Sequence, residues 1–248
     1  MMIAKYSANG NDFVLFHAFE KKDRSQLAVT LCNRQSGIGA DGLIVLVPHP
    51  TLDFEWQFYN ADGSGAEMCG NGSRACAHYA VRYDLAPAEM RFLTLAGEIK
   101  AQVEGTMVQS DLTPPLIVNR EITHEGKRFW LIDTGVPHLV TFDADIDYFD
   151  ILEARELRHR YNANVNIAKV QEDGTIRVRT YERGVEDETL ACGTGMAACF
   201  YRANQEGRVG ESTKVYPTSG DTLYLGLVDG TITFKGEVTP TFVTEWAH

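Results

Sequence analysis

A chain of 248 residues with 44% hydrophobic and 23% charged side chains can bury a proper core, in one large domain or two small ones. Its net charge of −11, without a basic run to neutralise phosphates, excludes a nucleic-acid surface. The longest apolar run, Leu43 to Val47, is too short to span a bilayer. The first residues carry no secretory-type apolar stretch, so the expected compartment is the cytoplasm.

Taken in order, Phe13 to Phe19 predicts a strand, and Ser25 to Arg34 a short helix opened by a Ser/Asp cap. Gly37 to Gly42 (GIGADG) matches the dinucleotide-binding glycine pattern, but it follows a helix and leads into a strand, the reverse of the order that binding requires. It is read as a turn, and no nicotinamide or flavin cofactor is expected. Leu43 to Val47 predicts a buried strand. In Asp53 to Tyr59, Phe54, Trp56 and Phe58 alternate with polar residues, the pattern of a half-buried strand. A helix is expected from the glycine turn after Cys69 to about Asp84. Arg91 to Ile99 and Ala101 to Leu112 predict a hairpin, and Thr113-Pro114-Pro115 is the strongest boundary signal in the chain.

The second half repeats this order. Strands are predicted at Arg128 to Asp133 and His138 to Phe142, a helix around Ile151 to Tyr161, and strands at Val165 to Val170 and Thr175 to Tyr181. A second helix follows Cys192. Thr213 to Trp246 is strand-rich, with turns at Ser219-Gly220-Asp221 and Val228-Asp229-Gly230. One principal helix within each strand-rich half is an α+β pattern.

Two stretches half a chain apart are near copies. Glu67 to Ala80 reads EMCGNGSRACAHYA and Leu190 to Ala203 reads LACGTGMAACFYRA. Aligned without gaps, they share Cys69/Cys192, Gly70/Gly193, Gly72/Gly195, Ala75/Ala198, Cys76/Cys199 and Ala80/Ala203. Duplicated halves pack about a pseudo-twofold axis, an arrangement expected to bring the two leading cysteines to one cleft. Glycines just inside a helix start let its free N–H groups approach an anion, and the same field favours a thiolate. A symmetric thiol pair suits chemistry in which one group takes a proton and the other returns it. Five cysteines without a secretory signal argue against a disulfide framework, and their spacing fits no zinc template. Cys32, Cys76 and Cys199 are expected to be core.

Together, GNDF (Gly10 to Phe13), FYNADGS (Phe58 to Ser64), MCGNGSR (Met68 to Arg74), YERG (Tyr181 to Gly184) and ACGTG (Ala191 to Gly195) resemble the diaminopimelate epimerases, in order and spacing from Tyr6 to Trp246. The resemblance implies two pseudo-symmetric domains, each a mixed sheet wrapped round a central helix. The expected domains are residues 1–114, joined by a returning strand at 239–248, and residues 115–238. It implies interconversion of LL- and meso-diaminopimelate without pyridoxal phosphate or metal, feeding lysine and peptidoglycan synthesis. By motif, Cys69 and Cys192 become the acid/base pair, and His138 and Glu182 tune the thiols. Asn11, Asn60, Gly70, Asn71, Asn166, Glu182, Arg183, Gly193 and Thr194 become substrate contacts. Asp41, Asp62 and Arg74 are expected to brace loops.

Simpler readings stand beside these: Asx turns for Asn11 and Asn60, a surface pair for Glu182 and Arg183, a core histidine for His138. Val136, where many members have asparagine, and Gly42, where some have glutamine, depart from the pattern and leave the distal contacts open. A related amino-acid racemase or a thiol redox protein are the competing functions, and a homodimer remains open.

Overall fold

The structure is a computed structural model that describes residues 1–247, and its fold is α+β. The chain separates into two compact units, one of residues 1–111 and 236–248, the other of residues 112–235.

The first unit opens with β1 (Met2–Ala8) and β2 (Asn11–His17), an antiparallel pair turned at Asn9 and Gly10, both at positive φ. Helix α1 (Ser25–Cys32), β3 (Gly42–Val47) and β4 (Phe54–Asn60) follow, with β3 parallel to β2 and antiparallel to β4. Next come α2 (Gly70–Arg82), β5 (Glu89–Thr94), β6 (Gly97–Glu104) and β7 (Met107–Asp111). The period of two sorts β2 and β3 between two cores. Phe13, Leu15, Ile44 and Leu46 face a cluster with Trp56, Phe58 and Phe92 around α2. Val14, Phe16, Leu43 and Val45 face a second cluster with Ala28, Leu31 and Cys32 of α1. Helix α2 meets the core with small residues, Ala75, Cys76, Ala77 and Ala80, which let the strands approach closely.

Several boundaries differ from the sequence expectation. β1 was not anticipated, because Lys5 interrupts its alternation; its ammonium is nevertheless buried on Asp12 and the Gly39 carbonyl. The N-cap of α1 is Arg24 without a side-chain cap; Asp23 instead accepts from the Ser25 N–H at 2.9 Å. The expected hairpin at 91–112 is a three-stranded meander, turned at Gly97 and Gly105, both left-handed.

The second unit contains β8 (Leu116–His124), β9 (Lys127–Asp133), β10 (Pro137–Thr141), α3 (Ile151–Tyr161), β11 (Asn164–Val170), β12 (Ile176–Glu182) and β13 (Asp187–Thr189). Helix α4 (Gly193–Gln205), β14 (Ser212–Tyr216), β15 (Leu223–Val228) and β16 (Thr231–Glu237) complete it. β10 runs parallel to β11 and β12 parallel to β14, while β11–β12, β12–β13, β14–β15 and β15–β16 are antiparallel. Asp150 caps α3 by accepting from Leu152 and Glu153, and Asn162 ends the helix in the left-handed region. Helix α4 is buried along one face, and Arg202 ties it to the sheet through the Val140 carbonyl and an ion pair with Glu206.

The last strand, β17 (Thr239–Glu245), belongs to the first unit and lies antiparallel to β1. Among the described residues no helix is long and apolar enough to cross a membrane.

Candidate active site

Cys69 is the N-cap of α2, in extended backbone conformation, and its Sγ accepts from the Gly72 N–H at 3.4 Å. Gly72 is closely packed: a Cβ there would lie 3.1 Å from Ile44 Cδ1 and 3.4 Å from Cys69 Cβ. Around this helix start runs a directional chain of hydrogen bonds. The fully buried Arg74 donates to the Gly70 carbonyl (3.0 Å), Asn71 Oδ1 (2.7 Å) and Asn9 Oδ1 (2.5 Å). Asn71 Nδ2 then donates to Asn11 Oδ1 at 2.8 Å, and Asn11 Nδ2 to Asp41 Oδ2 at 3.0 Å. Gly70, Asn71 and Asn11 therefore gather at the end of α2 that carries Cys69.

Asn60 sits at the same end of the sheet, opposite Gly42 in the β3–β4 register. Its amide donates to Ser64 Oγ at 2.9 Å, and Asp62 accepts from the Ser64 N–H, so Asp62 braces the turn. A side chain at Gly42 would meet Phe58 Cε2 at 2.5 Å, so this position is filled by β4 itself.

Cys192 occupies the matching N-cap of α4, again extended. Its sulfur lies 3.6 Å from Thr194 Oγ1, which lies 3.0 Å from Nε2 of the buried His138. The imidazole tautomer follows from its other neighbour. Asn166 Nδ2 donates to the Leu139 carbonyl at 3.0 Å, which can only accept, while Thr180 Oγ1 donates to Asn166 Oδ1 at 2.9 Å. The same Nδ2 lies 3.0 Å from His138 Nδ1, so Nδ1 accepts and the hydrogen is on Nε2. His138 then donates to Thr194, whose hydroxyl is left to point at Cys192. Burial pushes the His138 pKa down to about 3, and the charge of Arg183 acts in the same direction. The imidazole is thus a fixed neutral donor. Gly195 is packed against this group, for a Cβ would fall 2.4 Å from Asn166 Oδ1.

Glu182, at the end of β12, accepts from Thr189 Oγ1 at 2.9 Å. The Arg183 N–H donates to Asn164 Oδ1 (2.8 Å) and its guanidinium to the Asn162 carbonyl (3.0 Å). Gly193 packs on Phe234 at the start of α4. Cys32, Cys76 and Cys199 are buried in apolar surroundings that raise their pKa values, so they stay protonated. One further cluster, His124, Glu125 and Glu153, has metal-ligating atoms within 4.8 Å of one another. Lys127 already neutralises its Glu153 at 2.5 Å.

The family model described as diaminopimelate epimerase matches residues 3–118 and 130–238. The chain belongs to the diaminopimelate epimerase family. It is 62% identical to a diaminopimelate epimerase of Nitratiruptor sp., covering 98% of each chain. With the enzyme of that name from Campylobacter lari it shares 52% identity over 99% of each. Among solved structures, a probable proline racemase from Agrobacterium radiobacter with bound carbonate superposes with a TM-score of 0.79 at 16% identity, over 99% of this chain and 92% of that one. That likeness is one of fold alone.

Three family-site neighbours escaped the sequence reading. Asn9 holds Arg74, Thr180 fixes the Asn166 amide, and Asn164 joins the Pro137 carbonyl to the Arg183 backbone. The signal for Asn164 was available: Asn164 and Asn166 are two apart on β11 and share a face.

Proposed function

We propose that this chain interconverts LL- and meso-2,6-diaminopimelate by moving the α-proton with Cys69 and Cys192, without pyridoxal phosphate or metal. The observation that carries the reading is the repeated construction, a cysteine at the N-cap position of a glycine-opened, buried helix once in each unit. The α-proton of an amino acid is a very weak acid, so charge growing on the carboxylate has to be met electrostatically. Helix N–H groups at Gly70 to Gly72 and at Gly193 to Gly195 are suited to that work, with the Asn11 and Asn71 amides beside the first. One thiolate removes the proton while the other thiol delivers one to the opposite face of the carbon. Reversing the substrate's stereochemistry exchanges the two roles.

On the second unit, the Thr194 hydroxyl supports negative charge on the Cys192 sulfur, and neutral His138 holds Thr194 in place. Arg183 suits the distal carboxylate, which a guanidinium can grip with two parallel hydrogen bonds.

The reading is tested by α-proton exchange of LL-diaminopimelate in deuterated water. Cys69→Ala and Cys192→Ala should each abolish epimerisation, and near wild-type turnover in either variant overturns the two-base assignment. Turnover should persist in the presence of a chelator. Lysine, which lacks the distal carboxylate, should turn over about a hundredfold less efficiently, because a guanidinium is then left unmatched. Comparable turnover of lysine or proline would assign Arg183 a structural role and the chain another substrate.

A further inference from the structure

The two copies of the cysteine motif differ where they address the sulfur. Thr194 in the second copy aligns with Asn71 in the first, and Ala197 aligns with Arg74. The first unit therefore has a buried guanidinium where the second has a methyl group. It lies in the first turn of α2, bonded to the carbonyl of Gly70, the residue after Cys69. The oxygens it holds at Gly70, Asn71 and Asn9 are neutral, so they fix the cation's place without cancelling its charge. Burial lowers its pKa to about 9, with the Cys69 thiol acting in the opposite sense, so it is charged at neutral pH.

The guanidinium can only donate, and the Asp41 carboxylate at the far end of the chain can only accept. With both ends fixed, neither Asn71 nor Asn11 can flip without placing two donors or two acceptors face to face. Each amide is held with its nitrogen turned toward the next residue in the series Arg74, Asn71, Asn11, Asp41.

We propose that Arg74 is a positioning residue for Cys69, aligning the Asn71 and Asn11 amides for a substrate carboxylate and supplying the buried cation that lets this thiol carry charge. The proposal rests on the reading of Cys69 as an acid/base group. It makes the two thiols inequivalent, Cys69 supported by a cation and Cys192 by the neutral His138–Thr194 pair.

Lys5 of β1, Asp12 of β2, Arg34 and Asp41 form one ion-pair network. Asp111 of β7 is half-buried with a raised pKa, and Lys100 lies on β6. Glu67 and Asp62 are exposed before the helix, and Tyr6, His17, His78, Tyr79 and Arg82 cluster toward its other end.

The test is the pH profile of Cys69 alkylation by iodoacetamide, read by mass spectrometry in the full chain carrying Cys192→Ala. Arg74→Met should move the midpoint up by about one pH unit or more, a tenfold loss of thiolate near neutrality. Arg74→Lys should restore the midpoint. In an otherwise unaltered enzyme it should still raise KM several-fold, because an ammonium cannot replace the fork that spans Asn9 and Asn71. Asp41→Asn, at a half-buried position, frees the amide chain and should raise KM while leaving the midpoint in place. A folded Arg74→Met with an unmoved midpoint overturns the charge role, and a wild-type KM in Asp41→Asn overturns the alignment role. Should Arg74→Met not fold, the lysine and Asp41 variants decide. The midpoint is read without substrate, so an inactive wild type would sink the epimerase reading and leave the Arg74 result interpretable.

Discussion

At the residue scale, the chain shows one residue type in two electrostatic settings. Cys69 and Cys192 sit at helix starts beside polar donors, whereas Cys76 and Cys199, two turns further along the same helices, are sealed in the core. Cys76→Ala and Cys199→Ala should keep full turnover and lose about 1–2 kcal/mol of stability through a small cavity, measured by urea unfolding. His138 offers a signed pH test. Its folded pKa of about 3 lies below the unfolded histidine value near 6.5, so the unfolded chain binds the proton first. The stabilisation is complete above pH 6.5 and is lost as pH falls toward 3. Between pH 6.5 and 5 the wild type should lose about 2 kcal/mol more unfolding free energy than His138→Gln. Equal slopes in the two proteins would show that the imidazole is protonated in the fold. The cysteine pairs were legible because a repeat makes four thiols comparable. The surroundings of His138 are not legible, because Asn164 comes beside it, and Thr180 beside Asn166, through strand pairings that local sequence does not specify.

At the element scale, the two glycine-opened helices are not equally tight. A methyl group at Gly195 would collide with Asn166 Oδ1 and stand 3.0 Å from Thr180 Oγ1, a fixed hydrogen-bonded pair. At Gly72 the nearest atom is the end of the Ile44 side chain, which can shift. Gly195→Ala should therefore cost about 1–3 kcal/mol and most of kcat/KM, with Gly72→Ala clearly milder in both. Thermal unfolding and initial rates of the two variants check the order. Helix α3 was readable to its ends because Asp150 and Asn162 are local punctuation. The meander at 89–111 reads in sequence as a two-stranded hairpin because the turn at Gly97 falls inside a run that otherwise alternates well. Strand β8 leaves little trace in the sequence for a related reason: it is mostly exposed and bulged against β9, so it carries little alternation.

At the scale of the whole molecule, the composition and the Pro114-Pro115 pair spoke of two bodies, but nothing local announced that residues 236–248 belong with the first. The pairing of β17 with β1 is a contact between the two extremes of the sequence. Met1 and Trp246 exchange backbone hydrogen bonds at 3.1 and 2.8 Å, and Trp246 also packs under the α1 core. A chain truncated after Val238 should leave the first unit open to protease, while a fragment near 112–235 resists; a resistant 1–111 fragment would contradict this. The same contact sets an order of events during synthesis. Residues 112–235 are contiguous and can fold as they emerge, but the unit translated first stays without a strand until the second has been made. β1 meanwhile offers an unpaired backbone edge to any extended neighbour on the polysome. The half made earliest is then the half completed last, and that interval is where this chain is most exposed to misassembly.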